Sequence, residues 1–214
     1  MAILKEQDRQ EVEKMFADLP NPVKLLMFTQ SLECQYCSET RELLEEVAAT
    51  SDKISLEVLN FVNDKDIAEK YGIDKIPATV IMNEKDYGIR LFGIPSGYEF
   101  STLLETIKMV SAGDSGLPDS VKKELAAISE KVHLQVFITP TCPYCPQAVI
   151  NAFKFAMEND NITADMVEAI EFPHLSQKYG VMGVPKTVAN EQGAAEGAVP
   201  ETHLLERIKS ILAS

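Results

Sequence analysis

With 214 residues, 45% hydrophobic and 25% charged, the chain has the make-up of a folded globular protein and is long enough for two modest units, each with a workable core. Its net charge of −13 argues against nucleic acid or an anionic membrane as partner, because both require a basic footprint. No stretch nears the ~18 apolar residues of a membrane span, and Met1 to Gln10 lacks a signal-like apolar run, so the expected location is the cytoplasm.

Val12, Met15 and Phe16 mark a first helix, which Pro20 and Pro22 bring to an end. Val23 to Phe28 is a short apolar run suited to a buried strand, and Cys34-Gln-Tyr-Cys37 follows it. Leu43, Leu44, Val47 and Ala48 recur at helical spacing, which predicts a helix from about Cys34 to Ala49. A strand over Ile54–Val62 and a short helix over Asp64–Tyr71, closed by Gly72, come next. Pro77 leads a β-branched run to Met82, Lys85–Gly93 reads as hairpin and last strand, and Phe100–Val110 as a closing helix. Ser111 to Pro118 is the most linker-like segment.

The second half repeats this order: a helix around Val121–Ile128, a strand over Leu134–Ile138, Cys142-Pro-Tyr-Cys145 opening a helix to Met157, and a strand over Ile162–Ile170. A short helix over His174–Tyr179, the Val184-Pro185 step and a helix over Leu204–Leu212 complete it. Pro77 lies 43 positions after Cys34, and Pro185 lies 43 after Cys142. Tyr71-Gly-Ile returns as Tyr179-Gly-Val, and Leu103-Leu-Glu-Thr-Ile-Lys as Leu204-Leu-Glu-Arg-Ile-Lys, so the chain is a tandem duplication with expected units 1–116 and 117–214. The copies differ where Pro77 to Gly93 spans 16 positions but Pro185 to Gly197 only 12, which predicts a short or irregular terminal hairpin in the second unit.

The two C-x-x-C tetrapeptides hold every cysteine in the chain, leaving none for a separate structural disulfide. Such spacing suits redox chemistry and zinc ligation equally well. Three features favour redox: Pro143 stands at a helix's first turn, each pair follows a core strand, and each has a matched proline 43 positions on.

Strand, C-x-x-C, helix, strand, Tyr-Gly-Ile/Val, Ile/Val-Pro, hairpin and helix together resemble the thioredoxin fold. Two such units, each with an extra amino-terminal helix, look like the two-domain protein disulfide oxidoreductases of archaea and thermophilic bacteria. The resemblance implies an α/β protein built as a tandem duplication of two thioredoxin-fold units, each a central mixed β-sheet flanked by helices. It implies an enzyme of thiol–disulfide exchange that acts on protein disulfides and dithiols, with no bound cofactor or metal. Its reducing equivalents are expected indirectly from NADPH, through a thioredoxin-reductase-like flavoprotein. Pro77 and Pro185 resemble the cis-prolines of that fold, with Ile76 and Val184 offering backbone groups to an extended substrate. The paired units also resemble the amino-terminal part of the alkyl hydroperoxide reductase flavoprotein, which gives a second reading: an electron relay from a separate reductase to a peroxidase such as a peroxiredoxin. A zinc-held or chaperone-like module and a glutathione-dependent, glutaredoxin-like use of Cys-Pro-Tyr-Cys stand as further alternatives.

In the redox reading Cys34 and Cys142 are the attacking thiols, favoured as thiolates by the helix N-terminus, and Cys37 and Cys145 are the resolving thiols. Glu33, Glu39 and Glu42 surround Cys34, opposed by Arg41, whereas no charged residue occurs from Leu134 to Phe153. Cys142 is therefore expected to be the more acidic thiol and the second site the stronger oxidant. The strand before each pair carries no acid. Glu168 on the following strand is the candidate proton acceptor, while Glu57 and Asp165 occupy matching repeat positions. Tyr36 and Tyr144 are expected to frame the substrate surface or to pack, and His133, His174 and His203 to be structural or exposed.

Overall fold

A computed structural model describes residues 3–213. The first unit runs α1 (Glu6–Phe16), β1 (Val23–Thr29), α2 (Cys37–Ala48), β2 (Ile54–Asn60), α3 (Lys65–Lys70), β3 (Ala78–Met82), β4 (Ile89–Phe92) and α4 (Glu99–Ala112). The second repeats it as α5 (Asp119–Ala126), β5 (Val132–Ile138), α6 (Cys145–Glu158), β6 (Ile162–Glu168), α7 (Pro173–Lys178), β7 (Lys186–Ala189), β8 (Gly193–Glu196) and α8 (Glu201–Leu212).

Alternating burial explains the strands: β1 sends Leu25 and Met27 to one apolar cluster and Leu26 and Phe28 to another, one on each face of the sheet. Within each unit two parallel strands are followed by an antiparallel pair, giving the mixed sheet expected from the sequence. The units do not stay apart. β4 pairs in parallel with β6, from Ile89 opposite Ala164 to Phe92 opposite Val167, and one eight-stranded sheet results in the order β2-β1-β3-β4-β6-β5-β7-β8. The larger apolar cluster crosses this seam, joining Leu91 of β4 and Leu103 of α4 to Met166 of β6 and Phe153 of α6. Burial of this area is the main force holding the halves in one orientation.

On the other face the seam is polar. Arg90, Asp165 and Gln135 stand opposite one another across β4, β6 and β5, all nearly buried. Asp86 receives Arg90 at 2.7 and 2.8 Å, and His133 Nε2 lies 2.6 Å from Asp165. Burial works against a charged His133, but the hydrogen bond and charge of Asp165 outweigh it and hold the imidazole above its usual value.

Strand register exposes a one-residue difference between the copies. Thr29 pairs with Asn60 and Ile138 with Glu168, so the path from strand end to first cysteine is one residue longer in the first unit. Glu33 lies in that longer loop with φ 57°. The second unit's terminal hairpin is short and regular: Asn190 and Glu191, with φ 49° and 59°, make a tight turn that absorbs the missing residues.

Candidate active site

Strands β1, β4, β6 and β5 all run in one direction, so their carboxyl ends share one edge of the sheet. Both cysteine pairs lie there, one after β1 and one after β5, at strand positions about 19 Å apart by the usual interstrand spacing. That separation prevents all four sulfurs from sharing a single metal ion. Cys34 is bonded to Cys37 and Cys142 to Cys145, with Cα–Cα 5.5 Å in each disulfide.

The helices begin at Cys37 and Cys145 rather than at Cys34 and Cys142 as the sequence predicts. Tyr36 and Tyr144, with ψ 8° and −14°, turn the chain into the helix from outside its first residue. Cys34 and Cys142 thereby lie just ahead of the helix N-termini, where the first backbone N–H groups have no intrahelical partner. Cys34 is partly exposed, Cys37 is buried, Cys142 is 7% exposed and Cys145 is fully buried. A depression of about 470 Å³ opens beside Cys34 and Cys37, with Gln30, Arg41 and Asn60 among its walls.

The Ile76–Pro77 and Val184–Pro185 bonds are both cis. Each proline carbonyl accepts from a glycine N–H at the end of its own unit's hairpin, Gly93 at 2.9 Å and Gly197 at 2.8 Å. Cys142 Sγ lies 3.8 Å from the Val184 carbonyl oxygen, so the sequence-distant proline step faces the second disulfide.

Glu168 ends β6 on the face that packs against α4 and α6, beside Ile138 and 2% exposed. One of its oxygens accepts the Glu171 N–H at 2.6 Å, and the other, fully enclosed, has no hydrogen-bond partner. Burial raises its carboxyl above the ordinary range. Glu171 reaches from the second unit to the first, accepting the Ile94 N–H at 2.7 Å. Burial, followed by the charges of Glu168 and Glu39, brings its carboxyl up to about 7. The matched pair Glu57 and Asp165 have different fates: Glu57 makes an exposed ion pair with Lys24, and Asp165 is buried against His133. His174 packs edge-on to Phe172, and His203 is exposed.

Glu99 was not singled out by sequence reasoning. It opens α4 in the first unit with no exposed surface, accepts the Thr102 hydroxyl at 2.6 Å, and has one enclosed oxygen without a partner. Burial pushes its carboxyl up to about 7. The Tyr98 N–H donates to the Pro140 carbonyl at 2.9 Å, fixing the start of α4 against the loop that leads into Cys142. The approach to the second disulfide is thus flanked by a buried acid from the other unit. One signal was available: Glu99 stands four, eight and eleven positions before Leu103, Ile107 and Val110, so helical periodicity assigns it to the apolar face of α4.

Two α/β repeats sharing one sheet, each with a C-x-x-C disulfide and a cis-proline on the same sheet edge, define a tandem thioredoxin-fold protein. The thioredoxin-domain profile matches residues 23–105 and again 132–210, and the chain belongs to that family. A protein disulfide oxidoreductase from Aeropyrum pernix shares its structure with TM-score 0.91 and 32% identity, over 96% of this chain and 92% of that one. The NTD_N/C domain of alkylhydroperoxide reductase from Enterococcus faecalis superimposes with TM-score 0.88 and 28% identity, over 96% and 99%. In sequence, an alkyl hydroperoxide reductase of Staphylococcus epidermidis is 27% identical over 98% of this chain and 38% of its own length. An NADH dehydrogenase of Bacillus subtilis is 26% identical over 78% and 31%. The chain spans about a third of the length of these curated relatives. Among the described residues no helix is long and apolar enough to cross a membrane.

Proposed function

We propose that the chain is a protein disulfide oxidoreductase that catalyses thiol–disulfide exchange through two sites, in functional units 1–116 and 117–214. The observation that carries this reading is the placement of each C-x-x-C disulfide before a helix and on the same sheet edge as a cis-proline, with Val184 O 3.8 Å from Cys142 Sγ. In the reducing direction the Cys34 or Cys142 thiolate attacks a substrate disulfide. One protein–substrate S–S bond forms, the substrate S–S bond breaks, and the departing sulfur leaves as a thiolate that takes a proton. Cys37 or Cys145 then gives up its proton and attacks the mixed disulfide, releasing the second substrate thiol and leaving the protein disulfide; two electrons pass to the substrate. Oxidation is the same sequence reversed.

Ile76-Pro77 and Val184-Pro185 hold the substrate segment extended beside the sulfurs by backbone pairing. Glu99, buried next to Tyr98 whose N–H holds Pro140 of the loop into Cys142, is the acid we assign to receive the Cys145 proton, with Glu168 as the second candidate. The enzyme works in the cytoplasm on protein disulfides, drawing electrons from NADPH through a thioredoxin-reductase-like flavoprotein.

The alkyl hydroperoxide reductase relatives favour a second reading of the same chemistry, an electron relay to a peroxiredoxin. Insulin-disulfide reduction followed by turbidity tests the main reading, using Cys34→Ser/Cys37→Ser, Cys142→Ser/Cys145→Ser and the fourfold variant. Each double variant should retain activity and the fourfold variant none; full activity without any cysteine would overturn it.

A further inference from the structure

The two sites share an edge but not a surface. Around the first, Glu33, Glu39 and Glu42 are exposed and make no hydrogen bond or ion pair among the described residues, while the neighbouring cation Arg41 is held by Glu45 at 2.7 Å. Around the second, exposed apolar groups replace charge. Tyr144, between the thiols, is 70% exposed; Met182, two residues before Val184, is 96% exposed; and Ile170, two residues beyond β6, is 66% exposed. Tyr98, whose N–H is bonded to Pro140, is 53% exposed. The first site has apolar neighbours of its own, Leu32 and Val62, at 78% and 66% exposure, so apolar contact is available at both and charge separates them.

We infer that the sites divide the substrates: the Cys34 site takes disulfides flanked by Lys or Arg, and the Cys142 site takes disulfides in uncharged, apolar segments. This rests on the thiol–disulfide exchange proposed above and names the substrate class of each site. A substrate cation beside its cystine meets three uncompensated carboxylates at the first site. Exposed pairs are individually weak, but three acting on one docked segment amount to about a tenfold preference, on the order of 1.4 kcal/mol. Being exposed, the preference is screened by salt. At the second site the same cation finds no carboxylate on the loop or in the helix as far as Phe153, and leaving water for an apolar rim disfavours it.

The test uses the full chain in its reduced form and two synthetic peptides of equal length, each closed by one disulfide and flanked by either lysines or leucines. Bis(2-hydroxyethyl) disulfide serves as an uncharged measure of exchange itself. With Cys142→Ser/Cys145→Ser, leaving the first site active, the lysine peptide should react about tenfold faster than the leucine peptide at low salt, with the ratio falling towards one near ~1 M salt. Adding Glu33→Gln/Glu39→Gln/Glu42→Gln should bring the lysine-to-leucine ratio to one, while the rate with bis(2-hydroxyethyl) disulfide rises because the Cys34 thiolate is relieved of three like charges. With Cys34→Ser/Cys37→Ser the leucine peptide should be the faster. Equal ratios in the two double variants, a lysine preference insensitive to salt, or one that survives the triple glutamine change would overturn the inference. Failure of both double variants to reduce bis(2-hydroxyethyl) disulfide would instead strike the exchange reading, and this inference with it.

Discussion

Replacing Glu99 by Gln separates the acid's thermodynamic cost from its chemical use. In the unfolded chain its carboxyl titrates near 4.5, and in the folded disulfide form near 7. Between those pH values the folded protein holds a proton that the unfolded chain has released, so stability falls as pH rises, at about 1.4 kcal/mol per pH unit, and levels off above pH ~7. Over the whole window that is on the order of 3 kcal/mol for Glu99. Glu171, also raised to about 7 but partly exposed, supplies a smaller decline, and Glu168 and His133, both raised, act in the same direction, so the Gln variant should lose Glu99's share of the slope and keep the rest. The Gln carbonyl oxygen can still accept the Thr102 hydroxyl, while its enclosed NH2 finds no acceptor, which costs about 1–3 kcal/mol at every pH and leaves the slope alone. Urea unfolding of the oxidised protein at pH 5 and pH 8 measures this. A Glu99→Gln variant with the parental difference between those pH values would refute the reasoning. Exchange at the second site, read in the Cys34→Ser/Cys37→Ser background, should slow about 10²-fold or more and lose its pH dependence near 7 if Glu99 carries the proton. Glu99→Asp should restore part of it.

Alkylation of the reduced protein by iodoacetamide, followed residue by residue against pH, should show Cys142 reacting at lower pH than Cys34, with the gap narrowing above pH ~7 as Glu99 ionises; a Cys34 profile titrating first contradicts this. Gly97 has φ 60°, and a Cβ there would run into the Pro140 carbonyl. Gly97→Ala should destabilise the protein by about 1–3 kcal/mol and slow the second site more than the first, measured by urea unfolding and by exchange in each double-serine background. Equal slowing at both sites would count against α4 as the support of the Cys142 loop.

The repeat, the strand–cysteine–helix order and the two proline steps were legible in the sequence because each depends on local spacing. Alternation places strand faces, helical recurrence places helices, and a duplication preserves both at fixed offsets. Glu168 was also reachable, since alternation from Met166 sends it to the same face as that residue. Residues that meet only through long-range pairing were not. Nothing in the periodicity of β4 or β6 says which edge each will pair with. That choice is made by backbone groups common to all strands, and by how α4 packs on α6 once both units exist. The fusion into one sheet, the arrival of Glu171 at Ile94 and the delivery of Glu99 to the loop before Cys142 follow from that single pairing. The sequence alone determined that there are two redox-type cysteine pairs on two similar scaffolds. Tertiary structure decided that they share one edge and that the buried acid of one unit stands by the loop leading into the disulfide of the other, because burial and proximity across a seam are properties of packing, not of order along the chain.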